Sequence, residues 1–113
     1  SNPVASIGPI LALPAMRKGL AAAPAPVVAV SPIVGGRAVK GPTEPFMRWA
    51  GWQPSTSGVA AAYAGLIDGL VADEPADRLP VLRIDTLMTD APSRRRVAEQ
   101  TLGFAAQLAG GDS

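Results

Sequence analysis

Gly35 and Gly36, set between Ser31 and the cations Arg37 and Lys40, are the residues whose types and spacing could do chemistry. Adjacent glycines let backbone N–H groups turn together toward an anion, and the two cations add positive charge beside them. The chemistry implied is the holding of a phosphate or carboxylate. This is not a Walker A loop, because Lys40 precedes its glycine and no G-K-[ST] follows. A Gly-Gly pair also reads simply as a turn. A second candidate anion site lies at Ser6 and Gly8, where Ser6 can cap a helix with Pro9 near its first position. Free N–H groups and the helix dipole would favour phosphate there; the other reading is that Ser6 only caps.

The elements that must position these residues follow from the apolar pattern. Val27 to Val30 is a short continuous apolar run fenced by Pro24, Pro26 and Pro32, which fits a parallel strand covered on both faces. Ligands of open α/β sheets sit beyond the carboxyl ends of the strands, where Ser31, Gly35, Gly36, Arg37 and Lys40 then fall. Gly69–Asp73 and Pro80–Asp85 read as two further strands. Asp85 and Thr86 would lie at a carboxyl end, either as site residues or as caps of the next element. Pro14 restarts a helix with Met16, Leu20 and Ala21 on one face and Arg17 and Lys18 in water. Thr43 is a candidate cap for a helix through Ala50, with Phe46, Met47, Trp49 and Ala50 covering one side as core, or with Trp49 or Trp52 flanking a flat ligand. Ser57 is a candidate cap for a helix from Gly58 to Leu66, in which Tyr63 reads as half-buried core. The last helix spans about Ser93 to Leu108, with Val97, Thr101, Phe104, Ala105 and Leu108 along one face. Its first turn carries Arg94 to Arg96, a solvated run or a contact for phosphate or an acidic partner.

Composition narrows the classes. The 113 residues allow one domain at most. No Cys and no His occur, which excludes disulfides, thiolate or imidazole metal sites, a Cys nucleophile and any His-based triad. Asp68, Asp73, Asp85 and Asp90 have no compact metal-ligand spacing, so no metal site is predicted from them. No apolar run approaches the roughly eighteen residues of a membrane span, and the expectation is a soluble, cytoplasmic chain with no membrane partner. Residues 1–66 hold five cations against Glu44 alone, while the remainder carries eight acids against five arginines. The front part suits an anionic ligand. Scattered cations with two Trp and one Tyr make a poor nucleic-acid surface, so no nucleic-acid partner is expected.

The segments SNPVASIGPILALPAMRKGL, SPIVGGRAVKGP, GVAAAYAGLIDGLVADE and TLMTDAPSRRRVAEQTL, in this order, resemble the carboxyl-terminal part of the CofD family, whose actinobacterial members are called FbiA. These are 2-phospho-L-lactate or phosphoenolpyruvate transferases of coenzyme F-420 biosynthesis, and the resemblance covers nearly the whole chain. It implies an α/β, Rossmann-like layered sheet, here its C-terminal portion only, with about three short, mainly parallel strands and flanking helices. Residues 1–110 would be the carboxyl-terminal part of a single domain and 111–113 a tail. The resemblance places Asn2, Ser6 and Gly8 in a guanine nucleotide pocket and Ser31, Gly35, Gly36 and Lys40 in a substrate loop, and names no catalytic residue.

The implied reaction is an in-line phosphoryl transfer. The terminal hydroxyl of a deazaflavin precursor attacks a guanosine-activated phosphoenolpyruvate or 2-phospholactate, GMP leaves, and Mg2+ neutralises charge. The glycine-rich phosphate loop and acidic metal ligands of the family are expected in an amino-terminal region, so the chain reads as beginning mid-domain, fragile and without turnover by itself. A homo-oligomer or a complementing amino-terminal chain are the expected protein partners. A nucleotide- or phosphate-binding fragment without catalysis, or half of a split enzyme, is the alternative.

Overall fold

Short apolar runs become strands where prolines and glycines deny them helical length. A computed structural model of the chain describes residues 2–38, 42–77 and 79–110. Lys40 and the tail 111–113 lie outside the described residues. The order is α1 (Ile7–Leu11), α2 (Pro14–Ala21), β1 (Val28–Val30), β2 (Ile33–Val34), β3 (Arg37–Ala38), α3 (Thr43–Trp49), α4 (Thr56–Ala62), β4 (Gly69–Ala72), β5 (Val81–Arg83) and α5 (Ala91–Gly110). Strands β1, β4 and β5 form the expected parallel sheet, in the spatial order β1-β4-β5. Val28 to Val30 pair with Gly69 to Val71, and Leu70 to Ala72 with Val81 to Arg83.

The sheet is covered on both faces. Side chains alternate along a strand, so Leu70 and Ala72 face one way and Gly69 and Val71 the other. Leu70 and Ala72 join Leu11, Ile33, Met47, Val59, Tyr63 and Leu66 in one core cluster, beneath α1, α3 and α4. On the other face Gly69 meets Phe104 and Leu108 of α5. Leu70, Val71 and Ala72 are all 0% exposed; each large aliphatic side chain so buried contributes about 1.5–3 kcal/mol.

Local chemistry sets several boundaries differently from the sequence reading. Asn2, rather than Ser6, organises the first helical turns: its Oδ1 accepts from the Val4 and Ala5 N–H groups at 2.9 and 3.0 Å. Ser6 stands at the N-cap position of α1, as expected, but makes no side-chain cap. It has αR rather than extended dihedrals, and Pro9 offers no N–H at the third helical position, so the Ser6 hydroxyl makes no capping bond. Ser55, rather than Ser57, caps α4, accepting from the Gly58 N–H at 3.1 Å, and Thr43 is the first, buried residue of α3 rather than its cap. Helix α5 starts earlier than its arginines indicate. Asp90 Oδ1 accepts from the Ser93 N–H at 2.9 Å while Ser93 Oγ accepts from the Asp90 N–H at 3.1 Å. Hydrogen bonding to the Ser93 side chain, and then to its backbone N–H, holds the Asp90 carboxyl below its ordinary range, and the acid offsets the unfavourable Arg94 to Arg96.

The amphipathic faces are thinner than expected. On α3 only Met47 carries the core contact; Phe46 and Ala50 are exposed and Trp49 is 80% exposed. Met16 of α2 is likewise exposed and Leu20 half-buried.

Two glycine substitutions should separate close packing from open helix surface. A Cβ at Gly69 would lie 2.7 Å from Leu108 Cδ1 and Phe104 Cε2, so Gly69→Ala should destabilise by about 1–3 kcal/mol. Gly103, inside α5 with open space around it, should gain about 0.5–1 kcal/mol as alanine. Urea midpoints of the two variants moving in the same direction would contradict this packing of α5.

Candidate functional site

The glycine pair is a hairpin turn. Ile33 pairs with Ala38 and Val34 with Arg37, leaving Gly35 and Gly36 as the two loop residues at φ of 60° and 80°. Positive φ at both positions is the two-residue turn that matches strand twist, and it selects glycine. Ser31 launches the hairpin. It is 4% exposed, its N–H donates to the Val71 carbonyl at 2.8 Å, and its Oγ accepts from the Ile33 N–H at 3.1 Å.

The parallel sheet brings the carboxyl ends of β1, β4 and β5 to one edge, and the hairpin folds against it. The Gly35 N–H donates to Asp73 Oδ2 at 2.7 Å, across 38 residues. A Cβ on Gly36 would stand 3.7 Å from Glu74 Oε1. The turn therefore faces two carboxylates, and the donor that the sequence offers to an anion is held by Asp73. Arg37 pairs with Glu44 at 3.4 Å, a surface ion pair worth little on its own.

Asp73 is the residue that the sequence reading passed over as one of four scattered aspartates. Its signal was an acid directly after the apolar run Gly69–Ala72. Its second oxygen, Oδ1, is buried with no hydrogen-bond partner among the described residues, as is Thr86 Oγ1 just after β5. Buried polar atoms are nearly always paired, so these two mark the carboxyl edge as a place for a polar group. Asp85 closes a local turn, accepting from the Leu87 N–H at 3.0 Å, and does not cap the next element, since α5 begins at Ala91 behind Asp90.

Asn2, Ser6 and Gly8 gather at a separate place. The Asn2 carbonyl accepts from the Ser6 and Ile7 N–H groups at 3.1 and 3.0 Å. Together with the bonds to its side chain, these engage the donors of the opening turns internally. Gly8 is needed for close approach, because a Cβ there would meet the Pro3 carbonyl at 3.1 Å. Beside it opens a cleft of about 520 Å3 bordered by Pro3, Gly8, Arg17, Trp52 and Tyr63. Burial pushes the Tyr63 hydroxyl up from its ordinary value. Of the described residues predicted for the nucleotide pocket and the substrate loop, only Gly8 borders this cleft; Asn2 and Ser6 lie outside its lining, as do Ser31, Gly35 and Gly36, so the predicted residues do not converge on one site. No group of three or more metal-ligating side chains gathers among the described residues.

A parallel α/β layered sheet whose polar residues collect at strand ends, with a cleft of ligand size alongside, is the framework of a Rossmann-like ligand-binding protein. No family model matches the sequence. A phosphoenolpyruvate transferase from Kitasatospora aureofaciens is 40% identical over 96% of this chain and 37% of its own length. A 2-phospho-L-lactate transferase from Methanosarcina acetivorans is 41% identical over 92% of the chain and 36% of its own length. One from Haloarcula marismortui is 43% identical over 86% and 29%. Over nearly its whole length the chain is homologous to the carboxyl-terminal part of these CofD-family proteins. It spans about a third of the length of these relatives.

The bond between Asp73 and Gly35 can be tested directly. Asp73→Ala should speed exchange of the Gly35 amide hydrogen about tenfold, the loss of one hydrogen bond of about 1.4 kcal/mol. Asp73→Asn retains an acceptor oxygen and should lose less. An unchanged Gly35 rate in the alanine variant would contradict the tie.

Proposed function

We propose that the chain works as the carboxyl-terminal part of a transferase. It would move a phosphoenolpyruvyl or 2-phospho-L-lactyl group from a guanosine diphosphate-activated donor to the deazaflavin precursor of coenzyme F-420, releasing GMP. The observation that carries this reading is the similarity to named transferases over 96% of the chain. Both kinds of relative are about equally similar, at 40% and 41% identity, and the proposal keeps both donors.

In this reading the cleft beside Gly8 takes the guanosine diphosphate portion. Its volume suits a ligand of that size. Trp52 offers an aromatic face and Arg17 a guanidinium, which pairs with phosphate oxygens through two parallel N–H donors. Asn2 and Gly8 shape the wall through the turn that they hold. Ser31, Gly35 and Gly36 form the scaffold of a loop proposed to face the transferred group; Lys40, assigned to the same loop from the sequence, lies outside the described residues. Asp73 fixes this loop to the sheet.

Phosphoryl transfer rests on positioning and on neutralising charge around phosphorus. Mg2+ would supply part of that neutralisation, usually through one or two carboxylates together with substrate phosphates. The described side chains form no complete cage for it, so its ligands are proposed to lie in the portion of the family that this chain does not span. A cytoplasmic setting is part of the same proposal; no helix among the described residues is long and apolar enough to cross a membrane.

The test joins this chain to the remaining portion of the Kitasatospora relative. With activated donor, deazaflavin acceptor and Mg2+, the joined protein should release one GMP per product, and Arg17→Ala should lower kcat/KM at least about tenfold, the worth of one charged contact. The chain alone should give no product. Failure of the joined protein to release GMP, or turnover by the chain alone, would contradict the proposal.

A further inference from the structure

Strand β1 has the sequence of an inner strand and the position of an outer one. Strands inside parallel sheets are buried on both faces and read as continuous apolar runs, as Val27 to Val30 do. Yet all three residues of β1 are only half-buried, whereas every residue of β4 is buried. Among the described residues β1 pairs with β4 alone.

Its backbone shows which groups are left over. The Val27 carbonyl accepts from the Asp68 N–H at 2.7 Å, and the Ser31 N–H donates to the Val71 carbonyl at 2.8 Å. Backbone groups alternate between the two edges of a strand, so residues 27, 29 and 31 serve β4, while the N–H and C=O groups of Val28 and Val30 point outward. Native edges are normally guarded by charge, proline or a bulge. Val28 to Val30 contain none of these. Beside this edge lies an apolar cleft of about 340 Å3, floored by residues 27–30 and walled by Ile7, Leu11 and Leu20 on one side and Tyr63, Leu66 and Ile67 on the other.

We propose that the free edge of β1 receives an extended apolar strand from the part of a family-length protein that this chain does not span. The relatives are long enough to supply it, since the chain covers only 36–37% of the first two. The added strand completes the hydrogen bonding of Val28 and Val30, and its alternate side chains fill the cleft. β1 then becomes an inner strand, as its sequence requires. A second copy of this chain is the competing occupant, and the test separates the two.

Amide hydrogen exchange is read for Val28 and Val30 in the chain alone and in the protein joined to the remaining portion of the Kitasatospora relative. This readout needs no turnover, so it can fail or succeed independently of GMP release. Joining should slow both amides at least about a hundredfold, the difference between open and paired backbone. Val30→Pro removes an outward N–H and trims a half-buried side chain, so measured against Val30→Ala it should leave the urea midpoint of the chain alone unchanged and lower that of the joined protein. Ala29→Pro, which removes an inward N–H, should lower both. Fast Val28 and Val30 exchange in the joined protein, or Val30→Pro without effect on it, would overturn the proposal. So would sedimentation of the chain alone as a dimer with both amides already slow, which would make a second copy the occupant.

Discussion

The whole arrangement depends on β4 being paired on both edges and covered on both faces. Its N–H and C=O groups alternate between β1 and β5: the Leu70 N–H donates to the Pro80 carbonyl at 3.0 Å, and Val71 accepts from Ser31. A buried backbone group without a partner costs as much as a lost hydrogen bond, so four residues tie three distant segments together. The helices follow from the same constraint. α4 and α1 lie over Leu70 and Ala72, α5 lies over Gly69 and Val71, and the carboxyl ends of all three strands are forced to one edge.

That edge is chemically different from a free anion cradle. The Gly35 N–H is taken by Asp73, and the donors of the first helical turns are taken by Asn2. Among the described residues, an Asp73 oxygen and the Thr86 hydroxyl have no partner, as do the Thr56 and Thr101 hydroxyls elsewhere, and the cleft beside Gly8 offers a guanidinium and an indole. The backbone of this chain therefore holds its own loops in place, and in the proposed function ligand contact would pass to side chains.

Strand identity was legible because a four-residue apolar run between prolines or glycines has no other stable use, and the parallel pairing of β1 with β4 followed from α3 and α4 between them, whereas β4 and β5 pair in parallel with no helix between them. The hairpin was not. Ile33 and Val34 are too few to show alternation, and a Gly-Gly pair looks the same whether its N–H groups meet phosphate or carboxylate. The cap of α4 was misplaced by two residues because Ser57 competes with Ser55 under the same local rule, and at Ser6 the position was right but the αR backbone denies it the bond. Asp73 was hidden for a different reason. Its partner Gly35 is 38 residues away, and no local pattern encodes that contact.

The most direct test of the account is a titration of this chain with guanosine diphosphate, read residue by residue through amide chemical shifts. The account predicts saturable changes centred on Gly8, Arg17, Trp52 and Tyr63, with smaller ones at Gly35 transmitted through the core. No saturable change, or changes confined to Arg94, Arg95 and Arg96 and abolished by moderate salt, would show that the cleft is not a nucleotide site and would contradict it.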